Sequence, residues 1–211
     1  MSLEKLKTWF EDMDEGLYGS LSGYASELLR FNKAINLVSV NTVEKLANIH
    51  FADCLLGSQI LFKNLGSGDD VIYDIGSGNG FPGLILALLS PSRKVVLVEA
   101  DQRKAEFLSH MVDFLGLKNT QVFGQPLESL PEGSIQVGVS RAFAPLDKAL
   151  LQSRRYFASG GKYFHFKTDT WSIETATLPS QVFSIWSTEH LGEYRIPDSE
   201  KKHSILLTKK A

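Results

Sequence analysis

A short β-rich run, Val71-Ile72-Tyr73, leads into an acid and a cluster of glycines, Asp74-Ile75-Gly76-Ser77-Gly78-Asn79-Gly80-Phe81-Pro82-Gly83. Glycines let a backbone take positive φ and come close to a ligand, and Pro82 suits the first turn of a following helix. A strand, such a loop and then a helix is where an open α/β sheet takes an adenosine-containing cofactor. Gly78, Gly80 and Gly83 have the dinucleotide spacing, so the glycines alone fit either NAD or S-adenosylmethionine. Asp74 and Ile75 tilt the balance. They lengthen the loop beyond the pattern that seats a pyrophosphate on the helix N-terminus. A carboxylate at Asp74 would also repel pyrophosphate and attract the ammonium or sulfonium end of S-adenosylmethionine. Glu99, ending the next β-rich run, is placed to accept from both ribose hydroxyls of an adenosine. Gln125-Pro126-Leu127-Glu128, after the third run, lies where an adenine-lining loop belongs.

The elements that must position these groups follow from periodicity. Residues 1–65 repeat apolar positions every three or four residues (Leu21, Tyr24, Ala25, Leu28, Leu29), which predicts a helical N-terminal segment. Residues 66–70, Gly66-Ser67-Gly68-Asp69-Asp70, read as the entrance to a second unit, residues 66–211. There, strands over 71–75, 94–99, 120–123, 135–140 and 162–167 alternate with helices over 83–89, 103–115 and 146–157. A turn at Ser159-Gly160-Gly161 precedes the fifth strand, and further β-rich runs occupy 181–187 and 203–208. This predicts an α/β fold: a doubly wound, mostly parallel, seven-stranded Rossmann-like sheet closed by a C-terminal hairpin, the sheet that class I methyltransferases share with other nucleotide-binding folds.

Composition narrows the classes. The chain has 211 residues, 43% hydrophobic and 22% charged, enough for one full core with an appendage. No apolar run approaches the ~20 residues of a bilayer span, and the N-terminus lacks a signal-peptide pattern, so the expected location is the cytoplasm. Cys54 is the only cysteine and reads as a core residue, and the dispersed histidines predict no metal site. A net charge of −2 argues against a general nucleic-acid binder, so any nucleic acid must meet a local basic patch.

Several segments together carry a more specific signal: Asn32-Lys33-Ala34-Ile35-Asn36-Leu37, His50-Phe51-Ala52-Asp53, residues 74–83, Arg103-Lys104-Ala105-Glu106-Phe107-Leu108 and Ser140-Arg141-Ala142-Phe143-Ala144. The chain resembles the bacterial RsmG family, also called glucose-inhibited division protein B, from about Phe31 to Lys167, with a weaker echo over 203–208. The resemblance implies methylation of N7 of a guanine in small-subunit (16S) ribosomal RNA, on the subunit or an assembly intermediate. It places cofactor contacts on Gly76, Phe81, Leu127, Glu128 and Arg141. Where the family has glycine after the fifth-strand lysine this chain has Lys167-Thr168, and a usual C-terminal arginine is Lys202.

Guanine N7 carries a free lone pair, so its methylation needs no general base. That fits the want, after the fourth strand, of the Asp/Asn-Pro-Pro-Tyr/Phe tetrapeptide with which amino-methylating enzymes hold an NH₂ group. Arg141 is the expected catalytic residue, holding guanine O6, a flanking phosphate or the cofactor carboxylate. Asn36, His50, Phe143 and Lys167 are the expected substrate-side residues: Phe143 to stack on a flipped base or fill the core, His50 paired with Asp53 at i, i+3. Arg103, Lys104, Arg154, Arg155, Lys162, Lys201, Lys202, Lys209 and Lys210 are further candidates for phosphate contacts. Two other readings remain open here: a nicotinamide oxidoreductase on the same glycines, and a non-catalytic ribosome-assembly factor. Nothing in the sequence demands more than a monomer.

Overall fold

A computed structural model describes residues 3–66 and 71–211, so most of the turn-rich 66–70 stretch lies outside the described residues. The N-terminal segment is helical: α1 (Lys5–Trp9), α2 (Glu15–Asn32), α3 (Val40–Val43) and a π-helical turn, Ala47–Ala52, that runs straight into α4 (Asp53–Lys63). Asp14 caps α2, its side chain accepting from Leu17 N. Then follow β1 (Ile72–Ile75), α5 (Gly83–Leu89), β2 (Val95–Val98), α6 (Gln102–Phe114), β3 (Thr120–Phe123), β4 (Ile135–Arg141) and α7 (Leu146–Ser153). The chain ends with β5 (Phe157–Thr168), α8 (Trp171–Ala176), α9 (Ser180–Phe183), β6 (Trp186–Arg195) and β7 (Lys202–Lys210).

The seven strands form one sheet in the order β3-β2-β1-β4-β5-β7-β6. The first five pair in parallel, and β7 runs antiparallel between β5 and β6, so the expected hairpin closes the sheet. Strands covered on both faces read as continuous apolar runs, as Val95-Val96-Leu97-Val98 does. The chain leaves β1 towards β2 on one side and returns to β4 on the other. A crevice therefore opens at the carboxyl ends of β1 and β4.

One sheet face carries a cluster that includes Ile72, Leu97, Val137 and Phe164 together with Leu6, Leu21, Tyr24 and Leu28 of the N-terminal helices. The other packs Ile75, Leu150, Phe157, Tyr163 and Trp186. Cys54 is fully buried in the first cluster.

Three boundaries differ from expectation. The run at 181–187 is the end of α9 and a turn, and the sixth strand starts only at Trp186. As the sheet's edge, β6 buries Trp186 but leaves most other positions at least partly exposed, so it lacks the apolar alternation that marks a strand. The helix expected over 146–157 stops at Ser153. Ser159-Gly160-Gly161 lies inside β5, where the pairing slips from Ile135↔Phe157 to Val137↔Lys162; those glycines serve a bulge, not a turn.

Candidate functional site

The crevice is a cleft of about 940 Å³, within the ~300–1,000 Å³ usual for ligand pockets. Its floor is the glycine loop. Gly76 and Gly80 sit at φ 72° and 93°, and a Cβ on Gly76 would lie 2.4 Å from the Phe143 ring. At Gly78 the nearest atom to an added Cβ is Gly76 O, 3.7 Å away, so the space over that amide is left for a ligand. Glu99 Oε2 accepts from Gly78 N at 2.7 Å and Oε1 from Asp101 N at 2.8 Å. The carboxylate thus braces the loop while lining the cleft, and each oxygen keeps a further lone pair. Leu127 and Glu128, on a short 3₁₀ turn after β3, line the same space. This glycine cradle, with an acid beside it, fits an adenosine-bearing cofactor.

Asp74 does not reach it. Its side chain is fully buried beneath the loop, where Oδ2 accepts from Gly83 N at 3.1 Å and so caps α5. Oδ1 has no hydrogen-bond partner among the described residues. Burial pushes the carboxyl up to about 7, against the hydrogen bonds that favour its charge. The expected anionic contact with the cofactor is corrected accordingly: alternation along β1 turns Asp74 to the same face as Ile72, under α5, leaving Ile75 and Gly76 on the cleft.

At the end of β4, Arg141 is clamped on three sides. Nε donates to Asp53 Oδ2 at 2.8 Å, Nη2 to Ile49 O at 2.7 Å and Nη1 to His50 Nδ1 at 3.1 Å. His50 must be neutral to accept. Burial first, then the Arg141 charge, lower its pKa to about 3. Asp53 Oδ1 accepts from Tyr194 Oη at 2.8 Å and His203 Nδ1 at 2.7 Å. Burial alone would raise the Asp53 pKa, but the His203 hydrogen bond and the Arg141 charge outweigh it and hold the group ionised. The His50–Asp53 pair expected at i, i+3 is therefore bridged by Arg141, because the π-helical turn changes the spacing on which the α-helical rule depends. Ala142 takes φ 54°, which costs a non-glycine residue roughly 1–2 kcal/mol, and turns the chain between Arg141 and Phe143, both on the cleft.

The family model for rRNA small subunit methyltransferase G matches residues 18–202. The chain belongs to that family. It is 41% identical over 98% of its length to ribosomal RNA small subunit methyltransferase G 3 of Bdellovibrio bacteriovorus, covering 93% of that protein. It is 36% identical to the methyltransferase G of Halorhodospira halophila, over 80% of this chain and 78% of that one. In fold it resembles a SAM-dependent methyltransferase from Aquifex aeolicus, with TM-score 0.58 and 12% identity over 82% of this chain and 98% of that one. A Pyrococcus furiosus methyltransferase gives TM-score 0.55 and 18% identity over 74% and 82% of the two chains. S-adenosylmethionine is the cofactor that family and fold imply. The nicotinamide reading of the glycines finds no support in either.

The positions expected from the resemblance to contact the cofactor, Gly76, Phe81, Leu127, Glu128 and Arg141, all border one cleft. Phe81 is 2% exposed, stacked on Tyr24 (4.9 Å) and His50 (5.2 Å), and so ties the loop to the N-terminal helices. Phe143 is half-buried against Gly76. Lys167 reaches the cleft but is held by Glu174 of α8 at 2.7 Å. Asn36 is exposed and off the cleft; its neighbour Leu37 lines it, bonded through its carbonyl to Asn79 Nδ2. Among the described lysines and arginines, Lys104 and Lys167 border the cleft beside Arg141. Arg103, Arg155, Lys202 and Lys209 each lie within salt-bridge reach of a carboxylate. Sequence reasoning missed Tyr194 and His203. For His203 the traces in the sequence were the weaker family echo over 203–208 and an alternation that sets it on the same strand face as Ile205 and Leu207.

Proposed function

We propose that the cleft transfers the methyl group of S-adenosylmethionine to N7 of a guanine in small-subunit ribosomal RNA. The observation that carries this reading is the clamped Arg141. Three of its N–H groups are engaged by Ile49, His50 and Asp53, and of the five a guanidinium owns the other two are left to a ligand. Donated to guanine O6, they leave the N7 lone pair bare; adenine, with an amino group at that place, would meet donor with donor. The buried Asp53 carboxylate balances the guanidinium, so Arg141 adds little net repulsion to the positive charge that methylation leaves on the base. The cofactor supplies a sulfonium-activated methyl group. No residue takes a proton from N7, and neutral His50 is not needed as a base. The protein's contribution is alignment and exclusion of water, for which ~7–11 kcal/mol is available in effective-molarity comparisons. Gly76, Gly78, Glu99, Leu127 and Glu128 hold the cofactor half; Arg141, Phe143 and Lys167 face the RNA. The chain acts as a cytoplasmic monomer, and the base is presented by the small subunit or an assembly intermediate.

Radiolabelled methyl transfer to naked 16S RNA, whole small subunits and partly assembled particles, followed by nucleoside analysis, tests the reading. 7-Methylguanosine is expected. Label in no substrate would support the non-catalytic assembly factor, and label at another position would sink the N7 assignment. Arg141→Lys keeps the charge but not the fork. It should lower the rate at least about 30-fold, at a smaller cost in melting temperature than Arg141→Ala, which strips a buried carboxylate of its cation.

A further inference from the structure

We propose that His203 is a positioning residue of the methyl-transfer site, fixing through Asp53 the orientation in which Arg141 faces the cleft. The inference rests on the reading of Arg141 given above. His203 lies on β7, opposite Thr168 of β5 and Tyr194 of β6, and its ring borders the cleft. Its Nδ1 sits 2.7 Å from Asp53 Oδ1, and Tyr194 Oη donates to the same oxygen at 2.8 Å. The other oxygen, Oδ2, takes Arg141 Nε at 2.8 Å. The C-terminal hairpin thus holds one end of a carboxylate whose other end holds the guanidinium.

That arrangement matters because a carboxylate's terminal torsion is broad and locks only when both oxygens are engaged. The Asp53 side chain is 2% exposed, so water cannot readily replace a lost donor. With His203 removed, Oδ1 keeps a single donor, the rotatable hydroxyl of Tyr194, which follows the carboxylate as it turns, so Oδ2 is freer to swing off the Nε axis. Arg141 then keeps Ile49 O and His50, which hold its outer nitrogens but leave the rigid guanidinium free to pivot about the line joining them. A displacement of this kind at a reacting site costs rate out of proportion to stability.

His203 variants in the full chain separate this role from simple packing. Asparagine places an N–H close to where Nδ1 sits; glutamine places one nearer Nε2. We expect His203→Ala and His203→Gln to lower kcat on 16S substrate about 10- to 100-fold, with KM for S-adenosylmethionine within threefold of wild type. His203→Asn should recover at least fivefold of that loss. His203→Asn as slow as His203→Gln, or His203→Ala at full rate, would overturn the proposal. If His203→Ala fails to fold, the Asn and Gln pair decides. Arg141→Lys at full rate would instead overturn the reading on which the proposal rests, whereas a slow Arg141→Lys beside a fast His203→Ala would overturn the proposal alone.

Discussion

Arg141 ends β4 and Asp74 is the last residue but one of neighbouring β1, and the fold treats these two charged residue types oppositely. Arg141 keeps its charge inside the protein because Asp53 pairs with it. Among the described residues Asp74 pairs with no cation; Gly83 N donates to one oxygen and the other has no hydrogen-bond partner, so burial favours its neutral form. Its pKa rises from 3.8 to about 7. A carboxyl with a raised folded value binds more protons folded than unfolded between those limits, so stability is lost as pH climbs from about 4 to 7. The loss is at most about 4 kcal/mol. Buried neutral His50 and His165 act in the other direction, so the measurement is a difference. Denaturant unfolding at pH 5 and pH 8 should show Asp74→Asn gaining on wild type at the higher pH. An equal gap at both pH values would mean that Asp74 is ionised throughout.

At the scale of elements, α2 does more than cover the sheet. Tyr24 is fully buried, stacks on Phe81 and donates from Oη to Asn79 O at 2.5 Å, so the helix grips the glycine loop by ring and by backbone. Phe51, on the π-helical turn, meets Phe81 edge-on at 5.0 Å. Large-to-small changes at such sites cost about 3–5 kcal/mol. Tyr24→Ala should therefore lower the melting temperature by roughly 10 °C and weaken S-adenosylmethionine binding in calorimetry at least tenfold. Tyr24→Phe, which keeps the stack, should lose far less of either. Equal affinity in Tyr24→Ala and wild type would show that the loop holds its shape unaided.

For the whole molecule, we propose that residues 1–65 form one wall of the site rather than a separable unit beside the domain at 66–211. Leu6, Leu21, Leu28 and Phe51 share one core with sheet residues Ile72, Leu97 and Phe164. A chain starting at residue 66 should be insoluble or bind 1-anilinonaphthalene-8-sulfonate strongly; a soluble fragment that melts cooperatively would disprove this. The sequence by itself determined the alternation of strands and helices, the glycine loop and the carboxylate at Glu99, because each rests on local periodicity or on a few consecutive residues. The apolar β1 and β2 were legible as buried strands; the polar edge strand β6 was not, since an edge needs little apolar alternation. Arg141 was legible as a strand-end cation, and its clamp was not. Asp53 and His203 stand 150 positions apart and meet only because β7 inserts between β5 and β6. The direction of the Asp74 side chain likewise depended on which sheet face the N-terminal helices came to cover. Contacts between distant segments are set by strand order and register, which a one-dimensional pattern does not contain.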